Sequence, residues 1–247
     1  MTTPHTAPAS APPAEGRLIV VFATKGGVGK TVVAINLAAG LAQRLKQPVC
    51  LVNGDVAAAG DLAKALSLPA SRSVIDLIPS LKRVVLANGD RFQPAPPDHL
   101  VLTPAMFPLT GTVMPHASGL HVLECLARPD QLDQLDPTVL PTLFHILTRR
   151  YRYVVVDGGG VFSEALTPTF DAAHLILLVT TPDAAAIYQA KWALGVIERL
   201  AFPSLMVKAV LNRADSRGSI NTPDVRLALP CDVLGEIPRI RVPERLV

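Results

Sequence analysis

The segment that most constrains this chain runs from Leu18 to Lys46. Leu18-Ile19-Val20-Val21-Phe22-Ala23 is an unbroken, β-branched apolar run, the pattern of a strand buried on both faces. Thr24-Lys25-Gly26-Gly27-Val28-Gly29-Lys30-Thr31 follows. Apolar residues at helical spacing (Val33, Leu37, Leu41, Leu45) then continue to Lys46 with no proline. A strand, a glycine-rich turn and a helix in that order build an anion site. Glycine lets backbone N–H groups turn inward and approach closely, and the helix N-terminus behind them adds unpaired donors and a favourable dipole. Gly26, Gly27, Val28 and Gly29 are the candidate cradle. Lys30 is the charge that reaches outer phosphates, and Thr31 the hydroxyl that ligates Mg²⁺. One position departs from the general phosphate-loop pattern: Thr24 stands where glycine is usual, and a second lysine, Lys25, precedes the glycine pair.

The alternation of strand and helix continues along the chain. Pro48 to Asn53, Tyr153 to Asp157, Leu175 to Thr180 and Met206 to Asn212 read as strands, and Pro137 to Arg150 and Ala184 to Leu200 as helices. The expected fold is therefore α/β, a mostly parallel central sheet with helices on both faces. Ligands of such sheets bind at the carboxyl ends of strands, and the polar clusters around Asp55, Asp157 and Asn212 each follow a strand end. Asp157 closes Val154-Val155-Val156, an apolar strand ending in an acid, so its carboxylate is a candidate Mg²⁺ partner through water. Asp55 is either a site carboxylate or a turn residue and N-cap. Asn212 offers an amide donor and acceptor suited to a base, or is a strand-end turn residue.

Composition narrows the alternatives. At 49% hydrophobic and 17% charged residues over 247 positions, the chain is globular and long enough for one large α/β domain. A net charge of +3 with no long basic run gives nucleic-acid binding little support, although Arg149, Arg150 and Arg152 cluster near a helix end. Cys50, Cys125 and Cys231 are far apart in apolar surroundings and read as reduced thiols, which suits a cytoplasmic protein. The six histidines lack metal-ligand spacing. No apolar run is long enough to cross a bilayer. Residues 1–16, rich in Ala, Pro, Thr and Ser, read as a disordered tail with no signal-peptide pattern, leaving 17–247 as the folded domain. Lys82 to Ser118, with many prolines and little periodicity, reads as an excursion or partly mobile loop.

Lys25 to Thr31, KGGVGKT, resembles the deviant Walker A motif of the MinD/ParA group of ATPases, and the likeness extends from about Arg17 to Pro238. The resemblance implies a P-loop NTPase fold, ATP and Mg²⁺ as ligands, and a weak ATPase activity. It also implies an ATP-dependent homodimer in which Lys25 reaches the partner subunit's nucleotide, with the logic of an arginine finger. On residue chemistry alone, Lys25 reads as a solvated surface lysine. By resemblance Asp55 is the second acid of an Asp-x-Asp pair and positions the attacking water. Asp157 is the Walker B acid, and Asn212 and Pro238 border the adenine. Two departures stand out. Asn53 replaces the first acid, and Gly158-Gly159-Gly160 follows Asp157 where small residues and proline are usual, which implies a softer switch loop.

Local stretches, namely Gly54 to Leu68 with its Gly60-Asp61, Ser118 to Leu123 and Leu211 to Gly218, are similar to the CpaE/TadZ branch, which localises Tad-type pilus machines. The implied role is a nucleotide-switched protein that positions a cell-pole, pilus or secretion assembly through protein partners. A non-hydrolysing structural adaptor and a ParA-like DNA-partitioning ATPase are the alternatives. Members of that branch often carry a preceding receiver-like domain, for which sixteen residues leave no room. Ile240 to Val247, broken by Pro243, is too short for an amphipathic membrane helix.

Overall fold

The computed structural model describes residues 15–69, 72–87 (of 84–87 the backbone alone), 109, 111–216 and 220–239. Eight strands form one sheet: β1 (Arg17–Phe22), β2 (Val49–Asn53), β3 (Met114–Pro115), β4 (Leu120–Glu124), β5 (Tyr153–Asp157), β6 (Leu175–Thr180), β7 (Val207–Asn212) and β8 (Val233–Ile237). Their order across the sheet is β3-β4-β2-β5-β1-β6-β7-β8. All neighbours run parallel except the short β3 against β4. The connecting helices are α1 (Lys30–Leu45), α2 (Asp61–Ala65), α3 (Val74–Ala87), α4 (Leu140–Arg150), α5 (Leu166–Asp171), α6 (Ala184–Arg199) and α7 (Thr222–Ala228).

The continuous apolar strands are explained by their two buried faces. In β1, Leu18, Val20 and Phe22 enter one core, and Ile19 and Val21, with Ala23 just beyond, enter the other. The same period-2 division splits Val154 and Val156 from Val155 in β5. The first core is roofed by α3, α4, α5 and α6, through Leu77, Phe144, Phe170 and Ile197 among others. The second is roofed by α1 through Val33, Ala34, Ala38 and Ala42, whose small side chains let the helix lie close to the sheet. Each large side chain buried this way contributes about 1.5–3 kcal/mol of transfer free energy.

The strands and long helices expected from the sequence are present within a residue or two at their ends, except that the helix expected from Pro137 begins at Leu140, after a 3-10 turn over Pro137–Val139. The stretch expected to be a loop from Lys82 is helical as far as Ala87, because α3 continues through it despite Pro79 in its interior. Residues 88–108 and 110 lie outside the described residues, and Met114–Pro115 pairs with β4. Gly16, assigned by the sequence to the leading tail, is buried and donates its N–H to the Thr148 carbonyl at 2.8 Å. A side chain there would stand 2.0 Å from the Tyr151 carbonyl oxygen. Residues 1–14 lie outside the described residues. No helix among the described residues is long and apolar enough to cross a membrane.

Candidate functional site

The loop after β1 leads directly into α1, at the strand from which the sheet order runs both ways. Gly29 is the residue before α1 and has φ 95° and ψ 25°, left-handed backbone that disfavours any side chain. A Cβ on Gly29 would also lie 2.5 Å from Asn212 Nδ2. No side chain caps α1, and its first turn carries no acid, so the helix N-terminus keeps its donors for an anion. Gly26 and Gly27 are exposed, Val28 is buried beneath the loop, and Lys30 and Thr31 are half-buried at the start of α1.

Asp157, at the end of β5 beside β1, is 2% exposed. Its carboxylate accepts a hydrogen bond from the Thr31 hydroxyl and one from the Gly159 N–H at 3.4 Å. Burial pushes its pKa above the usual carboxylate value, opposed by the Thr31 and Gly159 hydrogen bonds and the Lys30 charge. Thr31 and Asp157, 126 positions apart in sequence, are thus brought together as a pair of oxygen donors. Such a pair fits a hard divalent cation that keeps much of its water. Among the described residues there is no cluster of three or more His, Cys, Asp or Glu side chains that could hold a metal by themselves.

Asp55 follows β2 and accepts the Ala57 N–H at 3.1 Å, capping a short 3-10 turn. Its carboxylate lies over Gly159, where an added Cβ would stand 2.6 Å from Asp55 Cγ, and Gly159 itself has φ 71°. The triple glycine is therefore not slack. Gly158 donates to the Val21 carbonyl at 2.8 Å, Gly159 accepts from Ala23 N–H at 3.4 Å, and Gly160 leaves room for Lys30 Nζ, 3.5 Å from where its Cβ would be. Beyond it, Phe162 packs edge-on against Phe22 at 5.0 Å and Trp192 at 5.8 Å, so the loop is held at both ends.

Lys25 does not extend into solvent. Its Nζ lies 2.9 Å from Asp183 Oδ1 in the same chain, with the two side chains 36% and 47% exposed. Asp183 also caps α6 through the Ala186 N–H and accepts the Thr181 hydroxyl at 2.6 Å. Neighbouring Thr24 donates its hydroxyl to the Gln189 carbonyl at 3.0 Å. Asn212 comes back to the loop: Nδ2 donates to the Val28 carbonyl at 2.7 Å and Oδ1 accepts the Arg213 N–H at 3.0 Å. One amide N–H of Asn212 and one Oδ1 lone pair are left over from these two bonds. Pro238 is exposed just past β8, whose Ile237 stands beside Asn212 in the ladder.

Asn53 is buried and stands beside Asp157 in the β2–β5 ladder, but its side-chain hydrogen bonds go elsewhere. Its Nδ2 donates to Glu124 Oε2 at 2.6 Å and to the Ala58 carbonyl at 3.0 Å. Sequence reasoning passed over Glu124 altogether. Its only signal was an acid directly after Leu120-His121-Val122-Leu123, the same strand-then-acid pattern that marked Asp157.

Solved structures share this architecture. A ParA-family ATPase from Chlorobium tepidum superposes with a TM-score of 0.74 at 20% identity, covering 92% of this chain and 85% of that one. MinD from Pyrococcus horikoshii, complexed with Mg-ADP, gives 0.67 at 20% identity, covering 90% and 81%. In sequence, the septum site-determining protein MinD of Thermotoga maritima is 25% identical over 229 residues, 90% of this chain and 75% of that protein. The family model for the CobQ/CobB/MinD/ParA nucleotide binding domain matches residues 19–246. The strand–loop–helix with its open N-terminus, the Thr31–Asp157 pair and this match lead to one conclusion: the chain belongs to the MinD/ParA family of nucleotide-binding proteins.

Proposed function

We propose that the chain binds ATP with Mg²⁺ on the loop Gly26 to Thr31 and works as a nucleotide-switched homodimer over a single domain from Arg17 onward. The observation that carries this is the meeting of Thr31 with Asp157 beneath a helix N-terminus left without a side-chain cap. In this reading the loop N–H groups and Lys30 hold the phosphates, while Thr31 and Asp157 hold Mg²⁺. That ion would neutralise phosphate charge when bound. Asp55 orients the attacking water, and Asn212 with Pro238 borders the base. Lys25 leaves Asp183 and stabilises developing charge on the partner subunit's nucleotide. An ammonium paired at 2.9 Å and still one-third exposed is placed for such an exchange of partners.

The septum site-determining relatives favour a positioning role over metabolism. The local likenesses around Gly60-Asp61 and Asn212-Arg213 favour a Tad-type pilus or secretion assembly at the cell pole as the cargo, in the manner of the CpaE/TadZ branch. Turnover would be slow. A non-hydrolysing adaptor is the second reading, favoured by Asn53, which brings no second carboxylate toward Asp55. The ParA-like reading rests on Arg149 and Arg150, exposed at the end of α4.

Sedimentation velocity with ATP-Mg²⁺, ADP-Mg²⁺ and no nucleotide, on wild type and Lys25→Ala, tests the switch, with phosphate release in parallel. ATP-specific dimerisation lost in Lys25→Ala supports it. A monomer in every condition with no phosphate released refutes it. Dimerisation without release leaves the adaptor.

A further inference from the structure

Glu124 closes β4, which β2 and β5 separate from β1, and is completely buried. A buried carboxylate is costly unless donors satisfy its oxygens. Here three converge: Asn53 Nδ2 on Oε2 at 2.6 Å, the Ala63 N–H on Oε1 at 2.7 Å, and the Gly60 N–H. Every partner is a donor, which suits the ionised form, while burial pushes the pKa up. The carboxylate thereby ties β4 to the end of β2 and to the start of α2.

Its consequence lies on the other side of Asn53. Asn53 Oδ1 accepts the Asp55 N–H at 3.1 Å, while Nδ2 serves Glu124 and the Ala58 carbonyl. The amide has one workable orientation. Reversed, its NH₂ would face the Asp55 N–H and its oxygen would face two acceptors.

We propose that Glu124 is a positioning residue for Asp55, holding Asn53 in the one orientation that grips the Asp55 N–H and so setting where the Asp55 carboxylate stands over Gly159. This rests on the reading of Asp55 as the residue that orients the attacking water. It also accounts for Asn53. An acid at position 53 would meet Glu124 at hydrogen-bond distance, so an amide is the complement this buried carboxylate requires.

The chemistry of the pair supplies the test. Glu124→Gln offers one acceptor and one NH₂ where the carboxylate met donors on both oxygens, so Asn53 or Ala63 faces another donor. Turning Asn53 to relieve this lets go of Asp55. The swap Asn53→Asp with Glu124→Gln restores the set at the same net charge. The new acid accepts from the new amide and from the Asp55 N–H, and the new amide's oxygen keeps Ala63, while the Ala58 carbonyl loses its donor and comes to face an acceptor.

Amide hydrogen exchange of Asp55, read by NMR against Val155 and Val156 as folding controls, reports the grip directly. Phosphate release and ATP affinity report its use. Glu124→Gln should speed Asp55 exchange by about tenfold and slow phosphate release comparably, with ATP affinity changed by less than about threefold. The swap should recover most of both, and in an Asp55→Asn background Glu124→Gln should add no further loss of turnover. Unchanged Asp55 exchange in folded Glu124→Gln would overturn the proposal, as would a swap whose losses are the sum of the two single variants. A wild type that releases no phosphate would sink the hydrolytic reading instead. The exchange rates would still decide whether Glu124 fixes Asp55.

Discussion

At the end of β1, residues Thr24 to Thr31 are contiguous, and the backbone itself forms the proposed binding surface: a left-handed glycine, a buried Val28 and an uncapped helix N-terminus. At the ends of β2 and β4 a comparable area is assembled from separate segments. There Asn53, Asp55, Gly60, Ala63 and Glu124 are joined by side-chain hydrogen bonds, one of which spans 71 positions. The first region depends on dihedrals that a short sequence dictates. The second depends on every member of a network being in place, so a change at one residue is felt at the others. Single substitutions should therefore act locally in the first and spread in the second.

The largest effect belongs to Lys30→Ala. Losing a charge-assisted contact to phosphate should weaken ATP by about a hundredfold, while the half-exposed position leaves thermal stability nearly unchanged. Titration with a fluorescent ATP analogue measures this, and wild-type affinity in the variant would remove the phosphate assignment. Next comes Gly159→Ala, where the two regions meet. Its Cβ would fall 2.6 Å from Asp55 Cγ at φ 71°, so a stability loss of about 2 kcal/mol in urea unfolding is expected. Gly26→Ala, with nothing within 4 Å of the added atom, is the control and should unfold like wild type.

A smaller effect, of opposite sign, is expected for Asp157→Asn. Burial raises the folded-state pKa of Asp157 above its ordinary value of 3.8, so the ionised carboxylate costs stability. That cost is present above the folded pKa and vanishes below the ordinary one. The amide variant should therefore melt higher than wild type at pH 7, with the gain fading as the pH falls toward 3.8. Its Mg²⁺-dependent ATP binding should fall. A variant less stable at pH 7 would mean that the Thr31 and Gly159 hydrogen bonds outweigh burial.

How much of this the sequence discloses follows the same division. β1, α1, β5, β6, β7 and α6 are legible because long apolar runs or clean helical periods specify them. The proposed phosphate loop is legible because its glycines, Lys30 and Thr31 are adjacent in sequence. β4 escaped notice: His121 and the terminal Glu124 break its apolar run, and proline-rich sequence precedes it. β8 escaped because an edge strand with Leu234 and Glu236 exposed and Gly235 between them has no continuous buried pattern. Asn53 read as a lost charge, since nothing local connects it to Glu124. Nor does local sequence show Asn212 reaching the Val28 carbonyl across 184 positions.

Lys25 is where the contiguous region proves not to be self-contained, because its partner Asp183 comes from the end of β6, 158 positions away. Burial raises the Asp183 pKa, but the Thr181 hydroxyl, Lys25 and the Ala186 N–H together hold it down at about 2. A depressed carboxylate contributes stability above its ordinary value of 3.8 and loses it as the pH falls through about 2, so no pH change near neutrality opens the pair. Asp183→Asn keeps a good N-cap for α6 while removing the charge that holds Lys25. Because both groups are one-third to one-half exposed, the stability loss at pH 7 should stay below about 1 kcal/mol and shrink toward zero near pH 2. If Lys25 must leave Asp183 to serve a second subunit, the same variant should dimerise with ATP at a protein concentration lower by about a few-fold. An unchanged dimerisation midpoint in sedimentation velocity, alongside the small stability loss, would make the pair a structural brace only and return the loop to self-sufficiency.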